Sequence, residues 1–308
     1  MNIKLKIPDN FLIPETRSGF FVSAKMKRVW AVELDLLNEF SRVCQKHNIK
    51  WFVDAGTLLG TVRHQGMIPW DDDIDVALMR DEYEKLCEIA PSEFRQPYFF
   101  QTEETDKGSL RCHAQLRNSD TTGILKTELK DKFKFNQGIF IDIFPLDTKT
   151  ANELLFKKQC EKLADLKSKM YIYRFYKDAY QFKFRWNLIK YFGNILRQLL
   201  SNTLLRKRFD YESLSREFDK TATLYNADAS DYVCYFCLQP ISQRRIWEKH
   251  WYESSIDMKF EMLTVPVPIG WKEYLETFYG QWEKYVIGGS VHGDVLFDTE
   301  TPYKEYLK

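Results

Sequence analysis

The sequence has no stretch of about 18 consecutive apolar residues, the length a helix needs to cross a bilayer. Its start, Met1-Asn2-Ile3-Lys4-Leu5-Lys6-Ile7-Pro8-Asp9-Asn10, has neither the apolar segment nor the small-residue cleavage site of a secretory signal. It also lacks a charge excess, because 45 Lys and Arg against 44 Asp and Glu leave a net charge of +1. No global field therefore attracts nucleic acid, and no RNA-reading motif of the RRM or KH type is present. No fixed-period repeat, low-complexity tract or Gly/Ser/Pro linker divides the chain. These absences predict a cytoplasmic protein with no membrane span and no nucleic-acid partner, built as one compact unit.

Cysteine is sparse. The six cysteines, at 44, 87, 112, 160, 234 and 237, are mostly far apart and lie in apolar or helical patterns, which fits free thiols in a reducing compartment. Cys234 and Cys237 form a lone C-x-x-C, but no further Cys or His recurs at zinc-site spacing, so both are expected to be buried thiols.

What is abundant is core material. The 308 residues are 44% hydrophobic and 16% aromatic, enough for one large or two small domains. Residues 21–48 place Val22, Met26, Val29, Trp30, Leu36, Leu37, Phe40 and Val43 at helical spacing, which predicts a long amphipathic helix leading to a strand at 50–54. A short helix at 57–63, a strand at 73–78, a helix from Asp81 to Ala90, and strands at 97–101, 110–117 and 138–144 complete a mixed α/β core of about 150 residues. From 151 to 308 the pattern reads as a helical subdomain covering the core. Residues 181–208 are rich in Lys, Arg and aromatics and contain no acid, so they fit either a membrane-surface helix or a core helix with a solvated basic face.

The chemistry is concentrated between Asp54 and Val76. If 73–78 is a strand, alternation puts Asp73 and Asp75 on one face, with Ile74 and Val76 pointing into the core. Two such carboxylates repel unless protonated or bridged by a divalent cation, and Mg²⁺ is held by one or two carboxylates plus substrate phosphates. Asp71 and Asp72 precede the strand and would cap, hold the turn or add charge behind the ligands. Upstream, Gly56-Thr57 and Gly60-Thr61 both offer a tight turn whose N–H groups would hold a phosphate, and which pair does so is left open. Arg63 and His64 would neutralise further phosphate charge.

In the last core strand, Ile139, Ile141 and Ile143 share one face and Phe140, Asp142 and Phe144 the other. An acid between two phenylalanines is costly to bury without a partner, and a metal shared with Asp73 and Asp75 would supply one. Arg111, His113, Gln115 and Arg117 alternate along a strand, forming either a functional polar face or the solvated side of an edge strand, with Arg117 the member expected to reach phosphate. The 17 Tyr, 8 Trp and 23 Phe invite an aromatic cage for an ammonium group, although most must be core.

The order of a Gly-Thr turn followed by Asp-hydrophobic-Asp-hydrophobic resembles the nucleotidyltransferase fold of polymerase β-like enzymes. Three segments bring the resemblance closer to the LicD family: GTLLGTVRHQGMIPWDDDIDVALMRDEYEKL from Gly56 to Leu86, GIFIDIFPLD from Gly138 to Asp147, and VPVPIGWKEYLETFYGQWEKY from Val265 to Tyr285. The stretch Leu116-Arg117-Asn118-Ser119-Asp120-Thr121-Thr122 resembles the family's Leu-Arg-Asp-x-x-Thr pattern, with Asn118 in place of the acid.

The resemblance implies a nucleotidyltransferase-like catalytic core at 1–150 and a helical subdomain at 151–308. It implies Mg²⁺ or Mn²⁺ held by Asp73, Asp75 and Asp142, with Asp142 the carboxylate expected to accept or orient the hydroxyl proton. The implied reaction is transfer of a phospho-alcohol, most familiarly phosphocholine, from a CDP-activated donor to a hydroxyl of a cell-surface glycan such as capsule, teichoic acid or lipopolysaccharide, releasing CMP. The family's fukutin-like relatives use CDP-ribitol. Two rival readings are a nucleotidyltransferase moving NMP to a small molecule or protein, and a non-catalytic scaffold of glycan assembly.

Overall fold

The computed structural model describes residues 2–129, 133–177, 211–238, 241–288 and 294–308. The basic stretch 181–208 lies outside the described residues. The chain opens with a hairpin of β1 (Glu15–Arg17) and β2 (Phe20–Val22), then enters α1 (Ala24–Lys46). The Ser23 hydroxyl caps α1 by accepting from the Met26 N–H at 3.2 Å. β3 (Phe52–Val53), α2 (Ala55–His64), β4 (Asp75–Met79), α3 (Arg80–Glu93), β5 (Tyr98–Gln101), β6 (Ala114–Asn118), β7 (Thr122–Leu125) and β8 (Ile139–Thr148) follow. The mixed α/β class is as the sequence predicts.

β8 organises the sheet. Along its ten residues it pairs antiparallel with β6, parallel with β4, and at its C-terminal end antiparallel with β9 (Tyr232–Cys234). β5 extends the sheet beyond β6, and β3 extends it beyond β4. The alternation read from sequence holds along β8. Ile139, Ile141 and Ile143 are fully buried, roughly 1.5–3 kcal/mol of burial apiece, while Phe140, Asp142 and Phe144 face a cavity. α1 lies against β8 and β6, α2 against β4, and α3 against β4 and β8.

Residues 212–308 depart from the expectation of helix and loop. α4 (Glu153–Lys177) and α5 (Tyr211–Ala222) pack together, but strands then dominate: β9, β10 (Ile246–Glu248), a hairpin of β11 (Ser255–Phe260) and β12 (Leu263–Pro268), and β13 (Val295–Asp298). These runs are short and aromatic-rich, and proline at 266 and 268 hides the alternation of β12. β9 and β10 continue the central sheet, and β13 pairs with β7, so both flanks of the core are finished by the C-terminal segment. α6 (Trp271–Tyr279) and α7 (Tyr303–Tyr306) complete the described elements. All six cysteines are free, and Cys234 and Cys237 are buried as expected. Among the described residues no helix is long and apolar enough to cross a membrane.

Candidate active site

β3 delivers Asp54 to the N-cap of α2, where its N–H donates to the Asp75 carbonyl at 3.0 Å. The next residue, Ala55, turns the chain at φ 42°, a conformation that non-glycine residues adopt at a cost and that recurs at functional sites. At Gly56 a Cβ would lie 2.5 Å from Asp71 Oδ2, so the absence of a side chain lets the acidic loop close on the helix. The Thr57 hydroxyl accepts from the Asp75 N–H at 2.8 Å, and the Thr61 hydroxyl donates to the Thr57 carbonyl at 2.7 Å. At Gly60 a Cβ would meet the Gly66 carbonyl at 2.5 Å.

The two Gly-Thr pairs therefore do different work from that expected. Gly56 lines the cavity, but Thr57, Gly60 and Thr61 do not, because their polar atoms and close approaches are used to weld α2 to β4 and to the 66–68 turn.

Asp71, Asp72 and Asp73 lie on the loop before β4 rather than in the strand, which begins at Asp75. Each offers a carboxylate oxygen within 4.8 Å of the others. The Trp30 indole N–H holds the loop by donating to the Asp71 carbonyl at 3.1 Å. Asp75 sits directly beside Asp142 across the parallel β4/β8 pair, and Asp73, Asp75 and Asp142 line one cavity of about 620 Å³. Burial holds both Asp73 and Asp75 well above the ordinary carboxylate range, helped at Asp73 by the charges of Asp75 and Asp71 and at Asp75 by those of Asp142 and Asp54.

Asp142 behaves differently. Burial alone would raise its pKa, but the charge and hydrogen bond of His113, then the Gln115 amide, hold it below the ordinary value. His113 Nε2 lies 2.9 Å from Asp142 Oδ1, and Gln115 Nε2 donates to the same oxygen at 2.6 Å. A carboxylate held in this way stays ionised, which suits a metal ligand or a group that orients a proton.

β6 is interior, paired on both sides and buried throughout, so the solvated-edge reading of its polar residues fails. Arg117 does not reach the cavity. Its guanidinium donates to the Gln101 side chain at 2.6 Å, to the Gly138 carbonyl at 2.7 Å and to the Gln115 side-chain oxygen, and it lies over the Phe140 ring. It thus orients Gln115, which in turn holds Asp142. Arg111, not Arg117, lines the cavity.

Arg63 reaches the cavity wall, but its Nη1 donates to the carbonyls of Trp282 and Lys284 at 2.8 and 3.0 Å, tying the 282–285 segment to α2. His64 lies outside the cavity, packed between Trp70 and Tyr285. Burial and the neighbouring Arg63 charge lower its pKa to about 4, so it carries no charge for a phosphate at neutral pH.

The cavity is also lined by Tyr235, Arg245 and Trp247, which the sequence reading did not single out, and by Tyr274, Phe278 and Tyr279 from the 265–285 segment that carries the resemblance. Asp54 also faces the cavity, and burial lifts its pKa to about 6 against the opposing influence of the Tyr235 and Tyr274 hydroxyls, the Ala55 N–H and Arg245. Its place immediately before the glycine turn was a usable signal. Arg245 and Tyr235 left none, since only the folding of β9 and β10 onto the sheet brings them in.

A mixed sheet carrying paired acids on adjacent strands, with a glycine turn at the helix preceding them, is the arrangement of a nucleotidyltransferase-type fold. Residues 48–184 match the family model described as LicD/FKTN/FKRP, nucleotidyltransferase domain. The chain is 26% identical over 257 residues to the lipopolysaccharide cholinephosphotransferase LicD of Haemophilus influenzae, covering 82% of this chain and 88% of that protein. Shorter matches to uncharacterised proteins of Rickettsia prowazekii, 45% identical over 56 residues, and Rickettsia typhi, 43% over 61 residues, cover 21% and 19% of those proteins. They span 18% and 20% of this chain.

Proposed function

We propose that this protein transfers a phospho-alcohol, phosphocholine foremost, from a CDP-activated donor to a hydroxyl of lipopolysaccharide or a related surface glycan, releasing CMP. The observation that carries the reading is the placing of Asp75 beside Asp142, with Asp73 in the same cavity, inside the stretch that matches the LicD/FKTN/FKRP family model. The likeness to a cholinephosphotransferase over most of both chains supports the choice of reaction.

The acids fit a divalent cation. Asp73 and Asp75 are half-buried, and their raised pKa values come from loss of solvent and from neighbouring carboxylates, a conflict that a bound cation relieves. The donor set is all carboxylate oxygen, which suits Mg²⁺ or Mn²⁺, and Asp73, Asp75 and Asp142 would hold it, with Asp71 close by. Bound there, the metal would neutralise donor phosphate charge.

The protein's own groups do the rest. Arg111 and Arg245 line the cavity and offer guanidinium donors for phosphate oxygens. His113 and Gln115 fix the Asp142 carboxylate, so the acid does not need to reorganise during the reaction.

The test is CMP release from a panel of CDP-alcohols with Mg²⁺ and a lipid-linked glycan extract, comparing the wild type with Asp75→Asn. CMP formed from one donor and lost in the variant supports the reading. Pyrophosphate formed from an NTP with a nucleotidylated acceptor, and no CMP from any CDP-alcohol, replaces it with NMP transfer. Silence in both assays, with no metal binding, replaces it with the scaffold reading.

A further inference from the structure

The hairpin of β11 and β12 presents an unpaired strand edge. Its register sets Ser255 opposite Pro268, Asp257 opposite Pro266 and Lys259 opposite Thr264. Proline has no N–H to give, so Pro266 and Pro268 occupy non-hydrogen-bonded pairs of the ladder, and alternation puts Thr264 in the same class. The backbone N–H and carbonyl groups of Ser255, Asp257 and Lys259 therefore point away from β12. Among the described residues β12 packs against β3, no second strand pairs with β11, and no backbone hydrogen bond from elsewhere reaches these three residues.

The side chains along this edge are complementary to themselves. Ser255, Asp257 and Lys259 are exposed, and so are the apolar Ile256 and Ile269 at 40% and 46%. The Ile269 N–H donates to the Ser254 carbonyl at 3.0 Å, which places Ile269 beside the start of β11. Asp257 and Lys259 stand two residues apart on one face with opposite signs, and neither is in an ion pair with a described residue.

Charges of one sign would blunt the edge, because antiparallel self-pairing would set like against like. Opposite signs do the reverse. With two copies of β11 laid antiparallel about a two-fold axis at Met258, Asp257 of each copy falls opposite Lys259 of the other, and Ile256 opposite Phe260. The same register brings the outward-pointing backbone groups of Asp257 and Lys259 face to face, as a hydrogen-bonded pair requires. A register moved by two residues sets Asp257 against its own copy, or Lys259 against its own, so the charges select one pairing.

We propose that β11 is a dimerisation edge whose occupant is β11 of a second copy of this chain, paired antiparallel about Met258. The seam is short, so the dimer is reversible and forms as concentration rises. This inference does not depend on the reaction proposed above.

The experiment follows the full-length protein by sedimentation velocity and light scattering, at concentrations up to about 1 mM so that weak association is captured. The wild type is expected to pass from monomer to dimer. Asp257→Lys and Lys259→Asp each set like charge against like twice across the axis, and each should raise the dimer dissociation constant at least tenfold. An equimolar mixture of the two variants restores both attractive pairs and should dimerise about as tightly as the wild type.

A wild type that stays monomeric over the whole range, a dimer that both substitutions leave intact, or variants whose mixture does not reassociate overturns the proposal. Circular dichroism checks the fold of each variant. Should one misfold, the exchange of both residues within one chain, Asp257→Lys with Lys259→Asp, replaces the mixture: restored dimerisation upholds the register, and its absence overturns it.

Discussion

Asp75 and Asp142 are register partners on adjacent parallel strands, and a third strand sets Gln115 opposite Asp142 from the other side. The carboxylate of Asp142 is thus fixed from β6 while it faces its neighbour on β4. Substituting either acid by Asn removes charge at nearly constant volume. Asp75→Asn and Asp142→Asn are each expected to lower CMP release at least about a hundredfold, the scale of losing one preorganised electrostatic contact, with the circular dichroism spectrum unchanged. Near-wild-type rates in either variant would remove that acid from the site.

The two glycines of α2 should separate function from folding. A methyl group at Gly56 meets only the movable end of Asp71, whereas one at Gly60 meets the backbone carbonyl of Gly66 and the Ile68 side chain. Gly60→Ala is expected to cost about 1–3 kcal/mol in urea unfolding through overpacking. Gly56→Ala should change the unfolding midpoint less and Mn²⁺ affinity more. The opposite ranking would mean that the loop at 71–73 does not depend on Gly56.

Arg117 makes a stability prediction rather than a catalytic one. Burial lowers its pKa to about 9, so it remains charged at neutral pH while its partners Gln101, Gln115 and Gly138 surround it. Arg117→Leu leaves buried acceptors without donors, at about 1–3 kcal/mol each. Urea denaturation should show that loss, and a second consequence should be reduced kcat without a matching rise in donor KM, because Gln115 no longer holds Asp142.

Asp54 gives the pH prediction. Its folded pKa of about 6 lies above the usual value of 3.8, so between these values the folded state holds more protons than the unfolded one. Stability from this group is therefore present below about pH 4 and is lost as pH rises toward 6. Asp54→Asn should be more stable than the wild type above about pH 6, by up to about 3 kcal/mol, and the difference should vanish near pH 4. Parallel stability curves for the two proteins across that range would contradict it.

Much of the core was legible because its signals are local. The 3.6-residue spacing from Val22 to Val43 marks α1, and the period-2 alternation around Asp142 marks β8, both within a few residues. Asp75 and Asp142 stand out for the same reason, since an acid inside an apolar alternation is conspicuous, and the structure brings both to one cavity with Asp73 from the preceding loop. Thr57 and Thr61 misled because a hydroxyl beside a glycine reads the same whether it meets a phosphate or a backbone group. Arg117 misled because alternation gives the face of a strand but not its depth in the sheet. Tyr235, Arg245 and Trp247 were invisible because their place in the site depends on strand pairing across nearly a hundred residues from β8.

That last pairing has a consequence for how the protein comes into being. A nascent chain that has emerged only as far as β8 owns every acid assigned to the metal but lacks the aromatic wall, Arg245 and the strand that caps the end of β8. A half-made chain would present a cluster of acids to water with no cavity around them. The cavity is therefore complete only late in synthesis, when the last third of the chain docks, and the N-terminal half alone lacks part of its walls.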